Sequence, residues 1–142
     1  MNDPVINAVM AQVKHERFQR FRKSEQFSLG KLIYELKNMD RPNAGVMFSD
    51  GTYPGRLSSW RGSYDELAVV PEQEEYYNSL SDFVAVLESA VGKTFEGYKG
   101  GEFVMDEHSP VWVAEWGDNA YTAPCAVVYR TWVVIEIKEF DF

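Results

Sequence analysis

Two short segments of the sequence bring together residue types that bind anionic, planar ligands. A guanidinium can hold a phosphate through paired hydrogen bonds, an aromatic ring can stack on a base, and glycines let a ligand approach the backbone. The alternative is that Trp60 and Tyr98 are core or edge aromatics, that the arginines pair with surplus carboxylates, and that the glycines only shape a turn. The candidate ligand-binding residues are Arg56, Trp60, Arg61, Tyr64, Tyr98, Lys99, Gly100 and Gly101.

The residues that bind metals or act as nucleophiles are sparse. The chain has two histidines and one cysteine, which do not compose a zinc site. His108 lies two residues after Asp106, and we interpret that pair as part of a solvated turn. Cys125 begins an apolar strand, so we expect a small core residue there and not an activated thiol.

Gly92-Lys93-Thr94 imitates the end of a phosphate-binding P-loop. The full motif needs a glycine five positions before Gly92, where this chain has Leu87. In a P-loop these residues begin a helix and hold phosphate at its N-terminus, whereas here they follow one. We therefore reject the match.

Three carboxylates on the predicted strands and turns of the C-terminal half, Glu102, Asp106 and Glu115, are candidates for acid–base chemistry if they converge. The sequence leaves their convergence open, because neighbouring carboxylates arise by chance among 22 acidic residues. We predict a non-enzymatic protein with no catalytic residue, no metal ligand and no cofactor.

The charge of the chain is unevenly distributed. Residues 1–23 hold five basic and two acidic side chains, and residues 24–142 hold nine basic and twenty acidic ones. We predict a basic N-terminal helix (1–24) and an acidic α+β domain (25–142). Three roles are open for the basic N-terminal helix: it contacts an anionic partner, it docks on the acidic domain of a sister subunit, or it presents a solvated face. The acidic body disfavours direct nucleic-acid binding, because a phosphate backbone attracts mainly lysine and arginine.

The hydrophobic content of 45% in 142 residues favours one packed domain. No run of 18 apolar residues occurs, so we expect no membrane span, and the lone cysteine favours the cytoplasm. The tryptophans of the C-terminal half lie either in a core or at the interface of a homo-oligomer. These tryptophans are Trp112, Trp116 and Trp132.

Capping residues and apolar stripes predict three helices. The first covers residues 4–23, the second begins after Ser28, and the third begins after Ser79 and stops at Gly92. The strands are predicted at residues 46–48, 57–61, 67–70, 102–105, 111–116, 125–129 and 131–139.

Turn signals separate these elements. Asp50-Gly51 predicts a hairpin, residues 53–55 read as a turn, and residues 93–101 read as a glycine loop. Helices separated from hairpins favour an α+β fold: an antiparallel sheet of five to seven strands with two helices packed on it and an additional N-terminal helix.

Four segments together resemble a group of small uncharacterised proteins encoded by tailed bacteriophages. They are FSLGKLIYEL (27–36), SSWRGSYDELAV (58–69), GKTFEGYKGGEF (92–103) and PVWVAEWG (110–117). The resemblance spans about residues 27–117. It implies a phage origin and action in the host bacterial cytoplasm, and it carries no catalytic residue to this chain.

Three functions are compatible with these features. The first is a binding protein that counters host defence by sequestering a small anionic nucleotide-type signal. The second is an acidic protein–protein inhibitor, for example one that imitates the charge of DNA, of a host nuclease, polymerase or defence protein. The third is an enzyme built on convergent carboxylates.

Overall fold

A computed structural model describes residues 26–60, 66–96, 101–115 and 121–139 of the chain. The predicted helix at residues 4–23 and the predicted boundary after residue 24 lie outside this part. The described part contains two helices and eight strands. In chain order they are α1 (Leu29–Asn38), β1 (Val46–Phe48), β2 (Tyr53–Ser59), β3 (Leu67–Glu72), α2 (Leu80–Ala90), β4 (Thr94–Glu96), β5 (Glu102–Val104), β6 (Val111–Val113), β7 (Thr122–Arg130) and β8 (Trp132–Glu139).

Serine side chains cap the N-terminal starts of both helices, as the sequence predicts. The Ser28 hydroxyl accepts a hydrogen bond from the Lys31 amide (3.1 Å), and Ser79 accepts one from Asp82 (3.2 Å). Each cap satisfies an amide at a helix start that has no partner within the helix. Gly92 lies two residues after the end of α2 and has a φ of +81°, a backbone conformation that favours glycine and stops the helix. Neither described helix is long and apolar enough to cross a membrane.

The strands form mixed sheets, so the predicted single antiparallel sheet of five to seven strands is wrong. The strand orders are β1–β8–β7, β2–β3–β6 and β4–β5. The pairs β1–β8 and β3–β6 are parallel. The chain between β3 and β6 includes α2, and a connection of this length permits parallel pairing. Hydrophobic alternation shows which residues of a strand are buried, but it does not identify the neighbouring strand.

Three local predictions also need correction. Gly51 does form a turn, with φ +89° and its amide bonded to the Phe48 carbonyl (3.0 Å), but β1 pairs with β8 and not with β2. The predicted turn at residues 53–55 is the start of β2, and the predicted glycine loop at 93–101 contains β4. In each case the pairing of the strand outweighs the local turn residues: β1 pairs with the distant β8, whereas β2 and β4 pair with the strands that follow them.

Phe27 links the two three-stranded sheets edge to edge. Its amide donates to the Pro124 carbonyl on β7 (3.1 Å), and its carbonyl accepts from the Val111 amide on β6 (3.1 Å). The segment before α1 therefore fills the place of a strand between β6 and β7.

The main core lies between the helices and the two three-stranded sheets. Leu32, Leu36, Phe83 and Leu87 of the helices pack there with strand residues such as Ile135, and all are almost fully buried. This core rigidly supports one face of the β2–β3–β6 sheet, so the opposite face of that sheet can carry the site described next.

Candidate ligand-binding groove

The β2–β3–β6 sheet has two faces with different roles. Residues directly opposite each other on paired strands lie on the same face, and successive residues alternate between faces. The register pairs Leu57 with Val69, which join the main core. It pairs Ser58 with Ala68, and Ala68 with Trp112. Ser58, Ala68 and Trp112 therefore lie on the second face, which points away from the main core.

A β-bulge in β2 sets the position of Arg56 on this second face. Pro54 pairs with Pro71 and Leu57 with Val69, so two residues of β2, Gly55 and Arg56, lie opposite the single residue Val70. Bulges re-aim side chains and are frequent beside binding sites. Past the bulge, Arg56 lies two residues from Ser58 and shares its face.

An open groove of about 590 Å³ runs over the second face of the sheet. Its volume falls within the range of small-molecule sites, roughly 300–1,000 Å³. Strand β2 contributes a cation and a hydroxyl, and β3 contributes two apolar side chains and a carboxylate. A second carboxylate comes from Glu115, which follows β6. The lining residues are Arg56, Ser58, Val70, Pro71, Glu72 and Glu115.

The charged groups of the groove are not paired with one another. Among the described residues, no ion pair joins Arg56 to Glu72 or to Glu115. The Ser58 hydroxyl oxygen is buried at the groove floor and has no hydrogen-bond partner in the described part of the chain. A buried polar atom without a partner costs about 1–3 kcal/mol. The groove thus offers one cation and two carboxylates that form no ion pair among the described residues.

Close contacts around Gly55 hold the bulge in place. A β-carbon at this position would lie 2.5 Å from Cγ of Glu72 and 2.8 Å from the Val70 carbonyl oxygen, so only glycine lets the Glu72 side chain cross the strand. The Tyr77 hydroxyl donates to the Gly55 carbonyl (2.8 Å), and the Tyr77 ring lies 5.2 Å from that of Phe83. Tyr77 therefore ties the bulge to the main core.

Trp60, predicted as a stacking residue for a ligand, is instead part of an aromatic cluster. It is 2% exposed and stacks on Trp112, with ring centroids 4.1 Å apart and planes at 11°. Tyr121 meets both indoles edge-on. The Trp112 indole N–H donates to the buried Glu66 carboxylate (3.0 Å). The cluster packs on the same face as the groove and stiffens it.

The other predicted ligand-binding residues are placed as follows. Arg56 lines the groove, and Gly101 is exposed just before β5. Reasoning from the sequence missed Ser58 and Glu72, although a glycine within a strand is a signal for a bulge and Gly55 carries it. The remaining candidates lie outside the described residues: Arg61, Tyr64, Tyr98, Lys99 and Gly100.

The three candidate carboxylates do not form a metal site. Glu115 lines the groove, Glu102 lies on the β4–β5 hairpin, and the described residues contain no group of three His, Cys, Asp or Glu side chains that could hold a metal ion. Asp106 accepts a hydrogen bond from the exposed His108 amide (2.8 Å), which confirms the predicted polar turn. Cys125 is half-buried in β7, where the register shifts.

Comparison with known protein families, with characterised proteins and with solved structures finds no match to this chain. The groove therefore has to be interpreted from its own chemistry.

Tyr77 yields a prediction about stability in alkali. Burial raises the pKa of Tyr77 from 10.0 to about 12, with a further contribution from Tyr76. The protonated form is favoured in the folded state, so its contribution to stability is complete below pH 10 and is lost as the pH rises through 12. We expect Tyr77→Phe to lower the free energy of unfolding at pH 7 by about 1 kcal/mol and to flatten the decline above pH 10.

Urea denaturation at pH 7 and between pH 9.5 and 12 measures both effects. Tyr34→Phe, which alters an exposed tyrosine on α1, is the matched control. Equal alkaline declines for the two variants would contradict the role assigned to Tyr77.

Proposed function

We propose that this protein is a non-enzymatic binding protein that sequesters a small nucleotide-type ligand in the groove over the β2–β3–β6 sheet. The observation that carries the proposal is Arg56, which lies at the bulge of β2, lines the groove and forms no ion pair among the described residues. A guanidinium that no carboxylate holds is ready to take a phosphate through two parallel hydrogen bonds.

The carboxylates of the groove suit the hydrogen-bond donors of such a ligand. The described residues carry sixteen acidic and seven basic side chains, so a ligand that is only an anion meets general repulsion. A nucleotide also presents hydroxyl and amino donors, which Glu72 and Glu115 can accept. At physiological salt, charges beyond about 8 Å are largely screened, so the local contact with Arg56 decides the binding of the phosphate.

The base has an aliphatic surface to lie on. Val70 and Pro71 line the groove between the charged side chains. The Trp60 ring packs against Trp112, so ring stacking by Trp60 is not part of the proposed binding mode. Apolar contact below and a few polar groups at the ends are the usual composition of a small-molecule site.

The biological setting that we propose comes from the resemblance to small phage proteins. In that setting the protein acts in the host bacterial cytoplasm and withdraws a nucleotide signal from a host defence system. Homo-oligomerisation, with the basic N-terminal segment docking on a sister subunit, belongs to the same proposal.

Arg56 provides the direct test of this function. We expect the wild-type protein to bind at least one member of a panel of nucleoside monophosphates, cyclic nucleotides and ADP-ribose in isothermal titration. Arg56→Gln should weaken that binding about tenfold or more, because a charge-assisted hydrogen bond is worth roughly 1.5–3 kcal/mol. The control is Arg130→Gln, an exposed arginine at the end of β7 that does not line the groove. If no panel member binds above millimolar affinity, the proposal is wrong.

A second candidate function is favoured by the surface charge. The described residues carry a net charge of −9, and exposed carboxylates such as Glu74, Glu75 and Glu102 take part in no ion pair among them. A surface of this kind can occupy the basic nucleic-acid-binding site of a host enzyme.

This second function predicts a salt-sensitive protein partner. A pull-down from bacterial lysate at 50 mM salt should retain one basic protein, and 500 mM salt should release it, because salt screens contacts between exposed charges. Replacing Glu74 and Glu75 together by glutamine should weaken retention, whereas Arg56→Gln should leave it intact. Absence of a partner at low salt would rule against the inhibitor.

A further inference from the structure

The arrangement of charges across the sheet identifies the kind of base that the groove accepts. This inference rests on the proposed function and narrows its ligand. Arg56 lies on β2, Val70 on β3, and Glu115 follows β6, with β3 between the other two strands. Neighbouring strands are about 4.8 Å apart, so the backbones that carry the cation and the carboxylate are about 10 Å apart across the groove.

The register places these groups in one row. Gly55 and Arg56 bulge opposite Val70. Val69 pairs with Val113, and the Ala114 amide donates to the Val69 carbonyl (3.2 Å), so Glu115 is level with Pro71. Because β6 ends at Val113, the direction of Glu115 is not set by strand alternation, and it is the lining of the groove that includes its side chain. A ligand that lies across the strands therefore meets Arg56 at one end, the aliphatic floor in the middle and Glu115 at the other end.

We propose that the groove selects a guanine nucleotide, with the phosphate on Arg56 and the base edge on Glu115. Guanine presents its N1–H and 2-amino donors side by side, and a single carboxylate accepts both with its two oxygens. Adenine presents one donor beside an acceptor nitrogen, which the carboxylate repels.

Glu115 is free to take this role. It is exposed, lines the groove and forms no ion pair among the described residues. Glu72 is less suited, because its side chain is folded against Gly55 beside Arg56, at the phosphate end. Of the two carboxylates that line the groove in the described part of the chain, Glu72 lies beside Arg56 and Glu115 follows the strand on the other side of β3.

The test is a titration with guanosine, inosine and adenosine 5′-monophosphates at physiological salt. We expect affinity to fall in that order, with guanosine about tenfold or more tighter than adenosine, as a bidentate contact to a base provides. Inosine retains N1–H but lacks the 2-amino group. Glu115→Gln should remove the preference, because its amide offers one donor and one acceptor and suits adenine better.

The matched control is Glu74→Gln, which removes the same charge from the exposed loop after β3 and should keep the preference. If the three nucleotides bind equally, or if Glu115→Gln keeps the order, the guanine assignment is overturned while nucleotide binding stands. If none of the three binds but another nucleotide of the panel does, the assignment is likewise overturned. If no nucleotide binds the wild type, the proposed function itself falls.

Discussion

The hydrogen bond from the Tyr77 hydroxyl to the Gly55 carbonyl is the contact on which the candidate site depends. It joins the bulge of β2 to the ring of Phe83, and so to the main core. At the bulge, Gly55 and Arg56 both lie opposite Val70, and Arg56 shares the face of Ser58. The hydrogen bond from Tyr77 therefore stabilises the part of β2 that carries the cation of the groove.

Packing on both faces of the β2–β3–β6 sheet stabilises the strands around the bulge. One face, with Leu67, Val69, Val111 and Val113, is buried against the helices. The other carries the stacked indoles of Trp60 and Trp112, which occupy the space above small residues such as Ala68. Because both faces are packed, the strands that flank the groove are held in register. Uncommitted charges can then remain exposed without the need for compensating ion pairs.

The predicted helix ends agree with the structure, whereas the predicted strand pairing and two of the predicted turns do not. Ser28, Ser79 and Gly92 define helix ends because their interactions reach only a few residues along the chain. The parallel pairs were missed, because no local pattern shows that residues 46–48 lie beside residues 133–135.

The candidate site was predictable only in part, for the same physical reason. Arg56 was identified from its residue type. Whether Trp60 is exposed to a ligand or buried in the aromatic cluster depends on the face of the sheet on which the strand register places it. Ser58 and Glu72 have unremarkable types, and they matter because the fold places them beside Arg56. A bulge changes which residues share a face, so the composition of this groove required the strand pairing.

The central claim is that the second face of the β2–β3–β6 sheet binds a nucleotide. Its most direct test is an NMR titration of the ¹⁵N-labelled protein with guanosine 5′-monophosphate, followed through the backbone amides. The account predicts saturable shifts concentrated at Gly55, Arg56, Val70 and Glu115, with little change along α1 and β8. Shifts that cluster away from the groove, or no saturable shifts with this or any other nucleotide, would contradict it.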